Sequence, residues 1–541
     1  MRKLYLFAAL IMSGIGLTAQ TAFVDPMYEV SEPTTMVYAE NYNPISNNAV
    51  TPLSMDVYTP VGDEEQVLRP VVVVFHTGNF LPQYFNGSPY GGKTDSVNVE
   101  IISRMVERGY VGISATYRQG WQPTAESQSV RTGTLLQAVY RASQDAHALS
   151  RYLRKTVAEE GNPMVIDTSK IMFLGIGSGG YLVNAFNFLD SIEQIERNIQ
   201  FLDDEFEPLV DTASMSNPDG TQTATNHIVN HAGYDSEVAL TVNIGGALGD
   251  TLWMDGDEAP VISIHSATDP FAPYYAGTVI VPTETPMAVV DVQGSRLMVE
   301  MANDMGINDV LEPATAMTLP EMFDPLSSVV NQIIAGYEQV PFQSPIPTNT
   351  DDQFMLGEQN LWTVLRTSAP DAGAQGTTGV WNWFDEQALR TQVAAINAAV
   401  PDADISADAI VNGEIQTNPQ YASATKARAN IDTIMAFIVP RAYYALDLEN
   451  LTSGTEDLVS NASVALELFP NPTGNDFTLR VADNVLIRRI DIFDMQGRHV
   501  TGITGVNQST YTVNRGNLPN GDYVVQLRFD EGTTARKVFL R

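Results

Sequence analysis

Apolar and polar positions recur along this chain with two different periods, and the change from one to the other divides it. Val71 to Phe75 is a continuous apolar run, as a strand buried on both faces requires. Val111 to Tyr117 and Val261 to Ile264 read the same way. Ile171 to Leu174 is a fourth such strand, turning at Gly175 into an apolar helix start, Tyr181 to Leu189. Leu135, Val139, Ala142, Ala146, Leu149 and Leu153 stand three and four apart, which predicts a helix over 134–159 stopped by Gly161-Asn162-Pro163. A last helix is expected over 424–440. Strands alternating with helices over 35–447 predict the α/β class, a doubly wound parallel sheet covered on both faces.

Residues 284–421 depart from that pattern. Pro313 to Asp371 is rich in Pro, Thr, Gln and Asn, with apolar anchors such as Leu319, Phe323 and Ile334. After a polar linker at 448–463 the period becomes two: Phe477 to Val481, Ile487 to Phe493, Tyr511 to Val513, Tyr523 to Phe529 and Lys537 to Leu540 are short strands separated by turn signals. They predict a small antiparallel β-sandwich over 464–541. At the other end Arg2 and Lys3 precede an apolar stretch, Leu4 to Leu17, and then Ala19 and Ala22, the pattern of an export signal over 1–20.

Composition narrows the chemistry. The chain has 541 residues, with 29 Lys and Arg against 64 Asp and Glu, a net charge of −35. That field repels phosphate backbones and anionic lipid, so no nucleic-acid partner is expected and no docking through basic patches. The absence of Cys removes disulfides, thiolate nucleophiles and Cys-ligated metals. After the signal no apolar run reaches membrane-spanning length, since Ile434 to Val439 stops at Pro440, and no transmembrane segment is expected in the mature chain.

Phe469-Pro470-Asn471-Pro472, Ile490-Asp491-Ile492-Phe493-Asp494-Met495-Gln496-Gly497-Arg498, Leu518-Pro519-Asn520-Gly521-Asp522-Tyr523 and the final Arg536-Lys537-Val538-Phe539-Leu540 resemble the type A C-terminal sorting domain of type IX secretion. The resemblance implies recognition by that secretion machinery and passage across the outer membrane of a Gram-negative cell. Release, or attachment to surface lipopolysaccharide, would follow.

Pro70 to Asn79, Ser114 to Gly120, Tyr140 to Ala146 and His265 to Pro273 resemble, in order, the oxyanion loop, a Tyr-Arg-x-Gly strand end, the helix before the nucleophile and the acid loop of carboxylesterase-like α/β-hydrolases. The resemblance implies an α/β-hydrolase sheet with 284–421 as a lid-like insertion. It also implies an oxyanion loop at Thr77, Gly78 and Gly179, Thr77 standing where the family has its first glycine. Such enzymes carry Gly-x-Ser-x-Gly at a strained turn, then an acid, then a histidine. Here the turn reads Gly175-Ile176-Gly177-Ser178-Gly179-Gly180, which sets Gly177 at the apex; a shifted register would instead make Ser178 the nucleophile. Asp269 fits the acid.

The six histidines are His76, His147, His227, His231, His265 and His499, and none follows Asp269 within the large domain. Losing the serine or the histidine of a triad removes on the order of 10⁶ in turnover. The leading expectation is therefore a non-catalytic binding or surface component with an unidentified small-molecule or glycan ligand and no cofactor. Two alternatives stand beside it. One is an active serine hydrolase using Ser178, Asp269 and His76 as an atypical base; the other is an adhesive or matrix protein in which the fold is scaffold. His147 is expected in solvent and His265 buried. His227 and His231, four apart, would share a face if helical, but Ile228 replaces the Glu of a zincin and no third ligand is evident. Trp381, Trp383 and Phe384 form an aromatic cluster suited to stacking on a ligand or to anchoring the lid.

Overall fold

The computed structural model of the protein describes residues 21–62, 68–281, 283, 285–342, 354–365, 378–401, 403–418, 422–449, 464–482, 485–494, 499–516, 518–529 and 532–541. The signal at 1–20 and most of the linker lie outside them. The chain divides into two compact units, Met1–Leu448 and Glu449–Arg541.

The large unit is built on one eight-stranded sheet. Its strands are β1 (Thr34–Asn43), β2 (Ala49–Tyr58), β3 (Arg69–Phe75), β4 (Val111–Ala115), β5 (Ile166–Ile176), β6 (Leu240–Ile244), β7 (Val261–Ser266) and β8 (Leu361–Val364). They lie in the order β1-β2-β4-β3-β5-β6-β7-β8. All neighbours are parallel except β1 with β2 and β2 with β4. This is a doubly wound α/β-hydrolase sheet.

Helices α1 (Ser96–Glu107), α2 (Gln128–Glu159) and α3 (Ser178–Phe188) cover it. Alternation along the strands decides which face each takes. Val71, Val73, Phe75, Val111 and Ile113 pack with Ala142, Leu149 and Leu182 of α2 and α3. Gly112 points the other way, where a Cβ would come within 2.5 Å of Ile102 on α1. Beyond two short helical turns at Ile192–Glu196 and Thr212–Met215, the longer helices that follow are α4 (Ser295–Asp304), α5 (Pro325–Tyr337), α6 (Glu386–Ala399) and α7 (Ala407–Thr417). The last, α8 (Ala424–Ala445), runs through Pro440 instead of ending there.

The segment 284–421 is not a single insertion, because its strand β8 pairs with β7 and completes the sheet. Its helices α6 and α7 form a small separate core of Leu389, Val393, Ile410 and Val411 closed against Tyr84.

The second unit is a β-sandwich. Antiparallel strands β9 (Glu467–Phe469), β10 (Phe477–Arg480) and β13 (Thr510–Val513) form one sheet. Strands β11 (Ile487–Asp494), β12 (His499–Gln508), β14 (Gly521–Phe529) and β15 (Gly532–Leu540) form the other, in the order β12-β11-β14-β15. Leu468, Leu479 and Val513 meet Ile490, Ile492, Val525, Leu527 and Val538 in a shared core. The turn at 495–498 lies outside the described residues.

Candidate functional site

The tip of β5 is where such a sheet presents its chemistry. The chain leaves Ile176, turns at Gly177 with φ 56° and ψ −114°, and enters α3 at Ser178. A φ in the left-handed region favours glycine. The turn is tight on both flanks: a Cβ on Gly175 would lie 1.9 Å from the Gly179 carbonyl oxygen, and one on Gly179 2.2 Å from that of Phe75. At the apex itself, a Cβ on Gly177 would fall 2.1 Å from Thr77 Oγ1 and 3.0 Å from Thr77 Cβ. The space of an apex side chain is taken by the threonine of the facing loop.

Ser178 sits one residue further on, 5% exposed, with its Oγ 2.9 Å from the Tyr117 hydroxyl. Tyr117 donates its single proton to the His76 carbonyl oxygen at 2.8 Å, so Ser178 is the donor to Tyr117. The serine proton is thus committed to a phenol oxygen, which burial holds in its neutral form by raising the pKa well above the usual range. The neighbouring Arg118 forms a buried ion pair with Asp145 at 2.8 Å that fixes this strand end.

His76 stacks on the Tyr117 ring with centroids 4.5 Å apart. Its Nδ1 donates to the Thr77 carbonyl oxygen at 2.6 Å, and burial pushes its pKa down to about 4. Asp269, in the loop after β7, accepts from the amides of Phe271 (2.8 Å) and Ala272 (3.0 Å) through Oδ1. Its carboxylate also takes a hydrogen bond from the Thr378 side chain. Burial raises its pKa to about 6 despite those donors.

Ser178, Asp269, Thr77 and Gly78 line one cavity together with Gly177; His76 and Gly179 stand behind its wall. None of the three candidate catalytic groups bonds to another among the described residues: Ser178 holds Tyr117, His76 holds Thr77 and Asp269 holds Thr378.

The other histidines of the large unit are also engaged. His265 is fully buried, with Nδ1 2.7 Å from Ser295 Oγ, Nε2 3.1 Å from the Ala272 carbonyl oxygen and 3.9 Å from Asp269 Oδ2. His147, expected in solvent, is buried instead: it packs on Phe186 with centroids 4.3 Å apart and bonds Ser236 Oγ at 2.9 Å. Because α2 is a central helix, its less apolar face is covered too. His227 and His231 do not share a helix face. The segment is irregular, His231 has φ 54°, His227 Nε2 meets the Gly220 carbonyl oxygen and His231 Nε2 that of Tyr38. Among the described residues no three His, Asp or Glu are grouped to hold a metal.

The cavity has a volume of about 600 Å³. Its apolar wall includes Phe80, Phe85, Tyr90, Trp121 and Val279, and α7 closes it through Gly413 to Thr417. Glu414 on that helix accepts from the Tyr90 hydroxyl at 3.0 Å, and burial lifts its pKa to about 7. The aromatic cluster divides its roles. Trp381 is buried, with its ring 3.7 Å from the Cβ position of Gly245, Phe384 packs edge-on to Tyr90, and Trp383 lies under the Arg428 guanidinium. Thr378 and Glu414 carry no sequence signal, whereas Tyr117 stood within the Tyr-Arg-x-Gly motif.

Residues 467–541 match the secretion system C-terminal sorting domain family. No curated protein matches the chain. Solved structures similar to it include esterase 2 of Thermogutta terrifontis phosphorylated by paraoxon, at 15% identity over 45% of this chain and 74% of that one with a TM-score of 0.29. The propionate-bound form of the same esterase matches at 15% identity over 45% and 75% with a TM-score of 0.28. The sorting domain makes this a secreted or cell-surface protein that engages type IX secretion machinery. No helix among the described residues is long and apolar enough to cross a membrane.

Proposed function

We propose that the large unit is a non-catalytic member of the α/β-hydrolase fold that binds a small organic ligand in its former active-site cavity. Residues 1–20 and the C-terminal unit would deliver it across the envelope of a Gram-negative cell, for release or attachment to lipopolysaccharide. One observation carries the reading: the position of the nucleophile side chain is filled by the Thr77 hydroxyl, 2.1 Å from where a Cβ on Gly177 would stand. Two others agree with it. The nearest serine gives its proton to Tyr117, which cannot act as a base, and the acid carboxylate is held by Thr378 where an acyl-transfer site needs an imidazole. The preserved cavity, within the 300–1,000 Å³ range typical of ligand pockets, supports binding over passive scaffolding.

The test is covalent. Intact protein is incubated with a fluorophosphonate probe and with p-nitrophenyl acetate, beside the Ser178→Ala variant. Equal, background-level labelling and hydrolysis in both proteins is expected. Labelling that disappears in Ser178→Ala would overturn the reading in favour of an active serine hydrolase.

A further inference from the structure

Taking the binding reading as premise, we propose that the cavity ligand is an organic amine, its protonated nitrogen held by Glu414 and its apolar body lying against Phe80, Phe85 and Trp121. The cavity's charge inventory is one-sided. Among the described lining residues, Asp269 and Glu414 are the only acidic side chains, and no Lys, Arg or His stands with them. An anionic ligand would meet carboxylates without any counter-charge, while an ammonium would meet them with opposite sign.

The two carboxyl groups differ in what they have left to offer. Asp269 already accepts from two backbone amides and the Thr378 side chain. Glu414 accepts from the Tyr90 hydroxyl and the Asn418 side chain, and a carboxylate has about four acceptor positions. A second, independent observation points the same way. Asn382 lines the cavity, is only 7% exposed, and its Oδ1 has no hydrogen-bond partner. Buried acceptors left open are expensive unless a donor completes them, and an ammonium brings three N–H groups. Burial is what raises both carboxyl groups, against the hydrogen bonds that each accepts.

The experiment is calorimetric titration of the full chain at pH 8 with three matched probes: 4-phenylbutylamine, 4-phenyl-1-butanol and 4-phenylbutyrate. The amine is expected to bind at least tenfold more tightly than the alcohol, and the carboxylate most weakly. Glu414→Gln, which keeps an oxygen for Tyr90, is expected to weaken the amine at least tenfold and the alcohol less than threefold. If the alcohol or the carboxylate binds as well as the amine, the amine assignment is wrong while the binding reading stands. If no probe binds, both fall. Should Glu414→Gln fail to fold, the three-probe series on the wild-type protein still decides.

Discussion

Gly177→Ser would place at the apex the residue that an α/β-hydrolase carries there, and the structure says what that would do. The backbone there has φ 56° and ψ −114°, a conformation costing a non-glycine residue about 1–3 kcal/mol. The new Cβ would lie 2.1 Å from Thr77 Oγ1. Rotating the threonine hydroxyl away leaves Thr77 Cβ at 3.0 Å, so a shift of one loop is needed, at an overpacking cost of about 1–3 kcal/mol. The variant should lose about 2–6 kcal/mol in all, read as a lower urea midpoint for the large unit. Thr77→Gly in the same chain removes the contact and should return about 1–3 kcal/mol, so the two substitutions must be coupled in a double-mutant cycle. Neither protein should hydrolyse p-nitrophenyl acetate, since His76 is bonded to the Thr77 carbonyl oxygen and His265 to Ser295 and Ala272. Adding Thr378→His beside Asp269 should produce fluorophosphonate labelling. A Gly177→Ser protein within about 0.5 kcal/mol of wild type, or effects additive to that margin, would refute the steric reasoning.

Other outcomes follow from the same contacts. Glu414 has a folded-state pKa raised from 4.5 to about 7, so the folded protein binds its proton more tightly and stability is lost as pH rises through that window. Glu414→Gln should match wild type near pH 4 and exceed it by about 3 kcal/mol at pH 8, read from thermal melts at both values. Arg118→Met leaves the Asp145 carboxylate buried without its cation and should cost about 3–5 kcal/mol in urea unfolding. Deleting residues 464–541 should retain the protein in the cell, seen by immunoblotting of cell, surface and medium fractions.

Much of the framework could be read without coordinates. Strands β3, β4 and β7 were legible because both their faces are buried, which leaves no polar position to interrupt the run. Ends were less so. The helix expected from residue 134 begins at Gln128 behind the Ser127 cap, since its first turn is exposed and the buried positions that follow, Arg131, Thr132 and Gly133, carry no apolar signal. The expected stop at Pro440 did not occur because α8 is buried on its C-terminal half, where packing outweighs one lost hydrogen bond. Strand β8, four residues long in a Pro- and Thr-rich stretch, carries no periodic signal that would set it apart from the lid-like segment. At the site, the glycine spacing marked the turn, and the sequence shows no histidine after Asp269 within the large unit. The contacts that define its present state, Thr77 with Gly177, Tyr117 with Ser178 and Thr378 with Asp269, join segments far apart in sequence, and only the fold brings them together.

The crowding between Thr77 and an apex side chain makes positions 77 and 177 interdependent. Any residue larger than glycine at 177 requires the facing loop to yield, and a smaller residue at 77 by itself leaves the apex bare. Neither single exchange installs an unstrained side chain at the tip of β5, so a design that aims at one has to change both positions at once.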